Sequence, residues 1–215
     1  YDAKHPTVKV HVSWSMGTLV SKNEIIGPIQ HWFDASTGDP RLDYGFIPFE
    51  FDVALLEGTF NSFELIVSAN ENLDITVNDM IQIERNRQAE LIKKSGYVDP
   101  LAQQFVIAAD QFIVKRQSTH ATTILAGLPW FADWGRDTMI AYLGLVLQTK
   151  RFDEARQILH SFVQYESNGI IPNMFPDAPN PPLYNTVDAS LWFFQAVYSY
   201  CESTHDTTFI KVNLF

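Results

Sequence analysis

A chain of 215 residues with 46% apolar content, including 16 phenylalanines, has material for one large or two small domains, and 19% charged residues exclude a disordered chain. A net charge of −10 and a pI near 4.9 set the surface against nucleic-acid phosphates and anionic membranes, so neither is an expected partner, whereas a neutral sugar is not repelled. The single cysteine, Cys201, excludes an internal disulfide framework and fits a reducing, cytoplasmic setting; no apolar run reaches the roughly 18 residues that a membrane span needs.

Residues 1–78 read as β structure. Val8, Val10, Val12 and Trp14 alternate with Thr7, Lys9, His11 and Ser13. Phe49, Phe51, Val53 and Leu55 repeat the period of two, then Phe63, Leu65 and Val67, then Leu73, Ile75 and Val77. Gly58 marks a turn, and 27–45, with Pro28, Asp34, Gly38, Asp39 and Pro40, reads as a long loop or hairpin. Short alternating strands of this kind predict an antiparallel sandwich. Near Asn78 the period changes. Residues 79–95 are rich in helix formers, with an acid first and lysines last as the helix dipole favours, and Gly96 closes them. This segment, 79–98, is expected to connect two domains.

From 98 onward the sequence reads as helical. Asp99-Pro100 is an N-cap followed by proline at the first helical position, and Leu101, Phe105, Ala108, Ala109 and Phe112 follow helical spacing to about Arg116. A loop with Ser118, Thr119, His120 and Thr122 comes next. Met139, Ile140, Leu143, Val146 and Leu147 mark a helix over 138–148. Asp153-Glu154 opens another, whose expected buried stripe is Ala155, Ile158, Leu159, Phe162 and Val163. After a proline-rich loop, a last helix starts near Asn185, with Val187, Leu191, Phe194, Tyr198 and Cys201 on its apolar face. Helices with broad apolar stripes joined by long loops predict a layered α/α array.

Acids, one arginine, asparagines and large rings recur at the ends of these helical patterns, and such residue types line sugar-binding clefts. Aromatic faces stack on pyranose rings, amides and charges bind hydroxyls, and a carboxyl can do acid/base work on the glycosidic oxygen. Asp188 has two readings. It shares a helix face with Trp192 and Gln195, where desolvation beside rings would raise its pKa and keep it protonated. It also stands three residues after Asn185, where it would complete a capping arrangement and no more. Asp137 likewise reads either as an N-cap or, with Arg136, as a grip on sugar hydroxyls. Trp130, Phe131, Trp134 and Trp192 are stacking platforms or core. Asn173 and Asn185 are loop amides, turn residues or sugar ligands. The six histidines show no metal-ligand spacing, and there is neither a Gly-rich phosphate loop nor a Gly-x-Ser-x-Gly nucleophile turn.

Three motifs in order, Trp130-Phe131-Ala132-Asp133-Trp134-Gly135-Arg136-Asp137-Thr138, Gly169-Ile170-Ile171-Pro172-Asn173 and Tyr184-Asn185-Thr186-Val187-Asp188-Ala189-Ser190-Leu191-Trp192-Phe193, closely resemble the amylo-α-1,6-glucosidase domain of glycogen debranching enzymes. The resemblance covers roughly 79–215. It implies part of an antiparallel β-sandwich (1–78) followed by an incomplete (α/α)6 toroid (99–215). It also implies inverting, cofactor-free hydrolysis of α-1,6-linked glucose at branch points of glycogen or limit dextrin. On this resemblance Asp188 matches the general acid. Arg136 and Asp137 resemble the pair that binds the terminal glucose, and Trp134, Asn173, Tyr184, Asn185 and Trp192 occupy cleft positions. An inverting enzyme needs a second carboxylate roughly 6.5–9.5 Å away as base. In the family that residue lies late in the toroid, and Glu202 and Asp206 come too soon to match it. The expectation is therefore a piece of a longer enzyme whose uncovered apolar faces invite association. The alternatives are a glucoamylase-like or trehalase-like α-glucosidase, or a non-catalytic glycogen-binding protein.

Overall fold

The computed structural model describes residues 9–32, 42–69, 74–116, 119–128, 131–175 and 181–214. Thr7, Val8, Asp34, Gly38, Asp39, Pro40, Leu73, Ser118 and Trp130, named above, lie outside them. The chain divides into two units, Tyr1–Ile83 and Glu84–Phe215.

In the first unit β1 (His11–Trp14) pairs antiparallel with β4 (Leu65–Ser68). A long hairpin joins β2 (Thr18–Gln30) to β3 (Leu42–Asp52), in register from Thr18↔Asp52 to Gln30↔Leu42 with two shifts along the way. Phe51 holds this region together by ring contacts with Trp14, Phe49 and Phe63 at 5.3–5.6 Å. Among the described residues, the alternating reading does not survive as a strand at 74–77. Thr76 accepts a 3.1 Å hydrogen bond from the Asp79 N–H and donates its hydroxyl to the Asp79 carboxylate, a reciprocal cap that starts α1 (Val77–Ser95) at Val77. Gly96, at φ +76°, ends that helix as expected.

In the second unit Asp99 caps α2 (Pro100–Asp110), its carboxylate accepting from the Ala102 N–H at 2.9 Å. The helical reading then fails for a short stretch. β-branched residues at Ile113, Val114 and Thr122–Ile124 prefer extended backbone, and they form the hairpin β5 (Ile113–Lys115) and β6 (Thr122–Ile124). Next come α3 (Gly135–Tyr142), which runs into a π-helical turn over Leu143–Leu147, α4 (Phe152–Gln164), α5 (Asp188–Thr204) and α6 (Thr207–Asn213).

Among the described residues, every buried side chain lies at Ser95 or later. The core joins Ile124 to Met139, Tyr142 and Val146, to Ile158, Leu159 and Phe162 of α4, and to Phe193, Val197 and Tyr200 of α5. The expected α4 stripe is the buried one, with Val163 at its edge. On α5 the stripe is corrected. Ala189, Phe193, Ala196, Val197 and Tyr200 face the core, while Val187, Leu191, Phe194 and Tyr198 are 59–66% exposed. On α2, Val106 and Ala109 are buried and Leu101 and Phe105 exposed. Ala189 and Ala196 on the buried face of α5 leave room for Phe193 and Tyr200 to pack into the core.

Candidate active site

One strip of chain, 171–175, sets the site. Its backbone binds the start of α3: the Gly135 N–H donates to the Asn173 carbonyl at 2.7 Å, and Trp134 pairs with Met174. A Cβ on Gly135 would lie 2.2 Å from the Pro172 carbonyl oxygen, so only glycine allows this approach. The same strip also binds the segment leading into α5 and its first turn. The Ser190 hydroxyl accepts from the Ile171 N–H at 3.0 Å, and the Asn173 amide donates to the Asn185 side chain at 3.0 Å. The starts of α3 and α5 are thereby set side by side. The residues they carry lie 52 positions apart in sequence: an Arg136 Nη1 donates to Asp188 Oδ2 at 3.4 Å.

The helix starts differ from their expected positions. α5 begins at Asp188, so Val187 and not Asn185 holds the N-cap position, and no side chain caps the helix; the Asn185 side-chain oxygen accepts from Asn173 instead. α3 begins at Gly135, so Asp137 sits inside its first turn with no capping role. It lies 3.9 Å from Arg136 and is 44% exposed. Arg136 therefore stands between two carboxylates, and an open cavity of about 270 Å³ is lined by Ala126, Phe131, Trp134, Arg136 and Asp137. Trp192 follows one turn after Asp188 on α5, 39% exposed. Tyr184 donates its hydroxyl to the Tyr165 carbonyl at 2.7 Å and is 38% exposed.

The expected raised pKa of Asp188 is corrected. Desolvation, the largest single influence, pushes the carboxyl up. The adjacent Thr186 hydroxyl, the Arg136 contact and charge, and the Ala189 N–H together outweigh it and hold the carboxyl below its ordinary range. The Thr186 hydroxyl is buried beside it without a hydrogen bond of regular geometry. The first turn of α5 favours the anion as well. Asp188 is 40% exposed rather than shielded by rings. As it stands, the site offers a carboxylate, a guanidinium and a second carboxylate: donors and acceptors suited to vicinal hydroxyls.

A second cluster had no signal in the sequence beyond an acid inside the first motif. Asp133, 4% exposed, is ion-paired with Arg116, 8% exposed. Burial raises the Asp133 carboxyl against the opposing pull of Arg116 and Thr123. Among the described residues no three His, Cys, Asp or Glu side chains converge as a metal site. Nor is any described helix long and apolar enough to cross a membrane.

The family profile described as amylo-alpha-1,6-glucosidase matches residues 107–215, a span that contains all of these residues. The chain belongs to the amylo-α-1,6-glucosidase family. The glycogen debranching enzyme of Saccharomyces cerevisiae is 36% identical over 109 residues, which are 46% of this chain and 7% of the yeast protein. The chain thus spans a small part of the length of that curated relative. Within the family match, the three motifs meet at one place: Gly135, Asn173 and Ser190 are contact residues, and Arg136 and Asp188 are what they present.

Proposed function

We propose that this family member carries the acid side of a glycoside hydrolase site that removes α-1,6-linked glucose from branched α-glucan such as glycogen or limit dextrin. The carrying observation is the Arg136–Asp188 contact beside the cavity lined by Trp134 and Asp137. In this reading Arg136 and Asp137 hold hydroxyls of the terminal glucose, and Trp134 stacks on its ring. Asp188 donates its proton to the bridging oxygen as the bond to the anomeric carbon breaks. A water adds to that carbon from the opposite face, and its proton passes to a carboxylate outside this sequence. The α-helical unit is then part of an (α/α)6 toroid, and the β region part of a sandwich before it.

An acid must hold a proton, and here the Thr186 hydroxyl, Arg136 and the Ala189 N–H outweigh desolvation and hold the carboxyl below its ordinary range. The resolution is competition. Once a glucose hydroxyl takes the Arg136 Nη1 donor and the ring displaces water, Asp188 loses that hydrogen bond and part of its solvation together. Both changes raise its pKa. Asp188→Asn in the full-length protein is expected to remove turnover on α-1,6 stubs by roughly a hundredfold or more while sparing sugar affinity. Near-normal turnover in that variant retires the assignment. Product analysis with limit dextrin, maltotriose and trehalose separates α-1,6 specificity from the glucoamylase-like and trehalase-like alternatives. The ionised resting state of Asp188 favours one further reading, a glucan-binding module without hydrolysis. Binding by the full-length wild type with no glucose release would support it.

A further inference from the structure

We propose that Arg116 is a positioning residue for this site, a buried fork that keeps the strip bearing Arg136 in register with the strip bearing Asn173. The inference rests on the site reading above but not on the chemistry assigned to it.

All five guanidinium N–H groups are engaged. Nε and Nη2 donate to Asp133, Nη2 also to Thr123 Oγ1 at 3.0 Å, and Nη1 to Thr119 Oγ1 at 3.0 Å and Ser161 Oγ at 2.9 Å. The flat face lies 3.7 Å from the centre of the Phe175 ring. Asp133 directly precedes Trp134-Gly135-Arg136, and Phe175 follows two residues after Asn173. One rigid plane therefore grips a carboxylate on the first strip and a ring on the second. Backbone contacts join the strips directly: Gly135 N–H to Asn173, Phe175 N–H to Asp133 at 3.4 Å, and the Trp134–Met174 pairing. Stability alone does not account for such a group. Removing two charges from water offsets most of what their attraction returns, and apolar pairs of similar volume commonly serve a fold as well. Five fixed donors on a planar frame specify orientation in a way that an apolar pair or a lysine does not. The element oriented is the start of α3, and so the placement of Arg136 against Asp188.

The test uses the full chain and reads the NMR titration of the Asp188 side-chain carboxyl carbon, since Arg136 is the charged group facing that carboxyl. Arg116→Met/Asp133→Leu is expected to melt no earlier than the wild type. Its Asp188 midpoint should nevertheless rise toward the ordinary value of about 3.9, with isomaltose affinity lower by roughly tenfold. Arg116→Lys, which keeps the charge and loses the fork, is expected not to restore either reading. A folded double variant with an unmoved midpoint, or full rescue by lysine, overturns the proposal. If the double variant does not fold, the isosteric Thr123→Val decides in the same way: a smaller rise supports the proposal and no rise overturns it. A wild-type chain that binds no isomaltose, with the midpoint still shifting in the variants, sinks the glucan reading and leaves the positioning role standing.

Discussion

Arg136 and Gly135 divide the work at the first motif: one carries the charge and the other permits its placement. Because the Asp188 carboxyl is held below its ordinary value, the contact contributes at neutral pH. That contribution is present above the unfolded value of about 3.9 and is lost as pH falls through the folded value. Arg136→Gln is therefore expected to move the Asp188 titration upward, as read by carboxyl-carbon NMR, and an unmoved midpoint would show that the guanidinium does not set it. Gly135→Ala acts by shape. Its methyl must displace the Pro172 backbone, whose oxygen would be 2.2 Å away. A loss of about 1–3 kcal/mol is expected from such overpacking, measured by urea unfolding. The same variant should weaken the Asn173–Gly135 bond and with it the Arg136–Asp188 approach. Unchanged stability would mean that the strip yields more easily than its ties to Ser190 and Asn185 suggest.

Helices are held by polar ties at their ends as well as by their apolar faces, and Asp110 shows how. It closes α2 while accepting from Arg87 of α1 at 2.6 Å and from Arg151, just before α4, at 2.5 Å. Burial is the largest single influence on its pKa and raises it, yet the two arginines outweigh burial and hold the carboxyl low. Asp110→Asn should cost about 1.5–3 kcal/mol at neutral pH. The cost should shrink as pH falls through the folded pKa, since the wild type then loses the same charge; urea unfolding at neutral and acid pH measures both. The ends of helices were legible in the sequence wherever one residue type has one local use, as at Asp99-Pro100 and Gly96. Faces were legible on α4, where the apolar stripe is single. On α5 apolar residues surround the helix, and periodicity alone cannot rank Leu191 and Phe194 against Ala196 and Tyr200. The hairpin at 113–124 was hidden because its strands are three residues each, too short for a period to register. Asp188 and Arg136 were found through motifs. Arg116 was not, because its partners are scattered from 119 to 175 and only the fold collects them.

At the scale of the molecule, the apolar residues that periodicity could not place become the issue. Val187, just before α5, and Leu191, Phe194 and Tyr198 along its outer face recur at helical spacing, each more than half exposed. Among the described residues of the same unit, Leu101 and Phe105 on α2 form a second such face. Covering four large side chains of this exposure on each of two copies is worth roughly 10 kcal/mol. That is of the same order as the about 4–15 kcal/mol lost when two bodies give up independent motion. Association of the 215-residue chain is then expected to be concentration-dependent rather than complete, emerging between micromolar and millimolar protein. Light scattering across that range is the measurement. Leu191→Lys with Phe194→Lys should shift the chain toward monomer, and because both side chains already face outward, stability should change by no more than about 0.5 kcal/mol per site. A wild-type chain that stays monomeric throughout would show that these faces are not adhesive. A double variant that unfolds would show that the α5 face is packed in solution, and the division of that helix into a core side and an outer side would have to be redrawn.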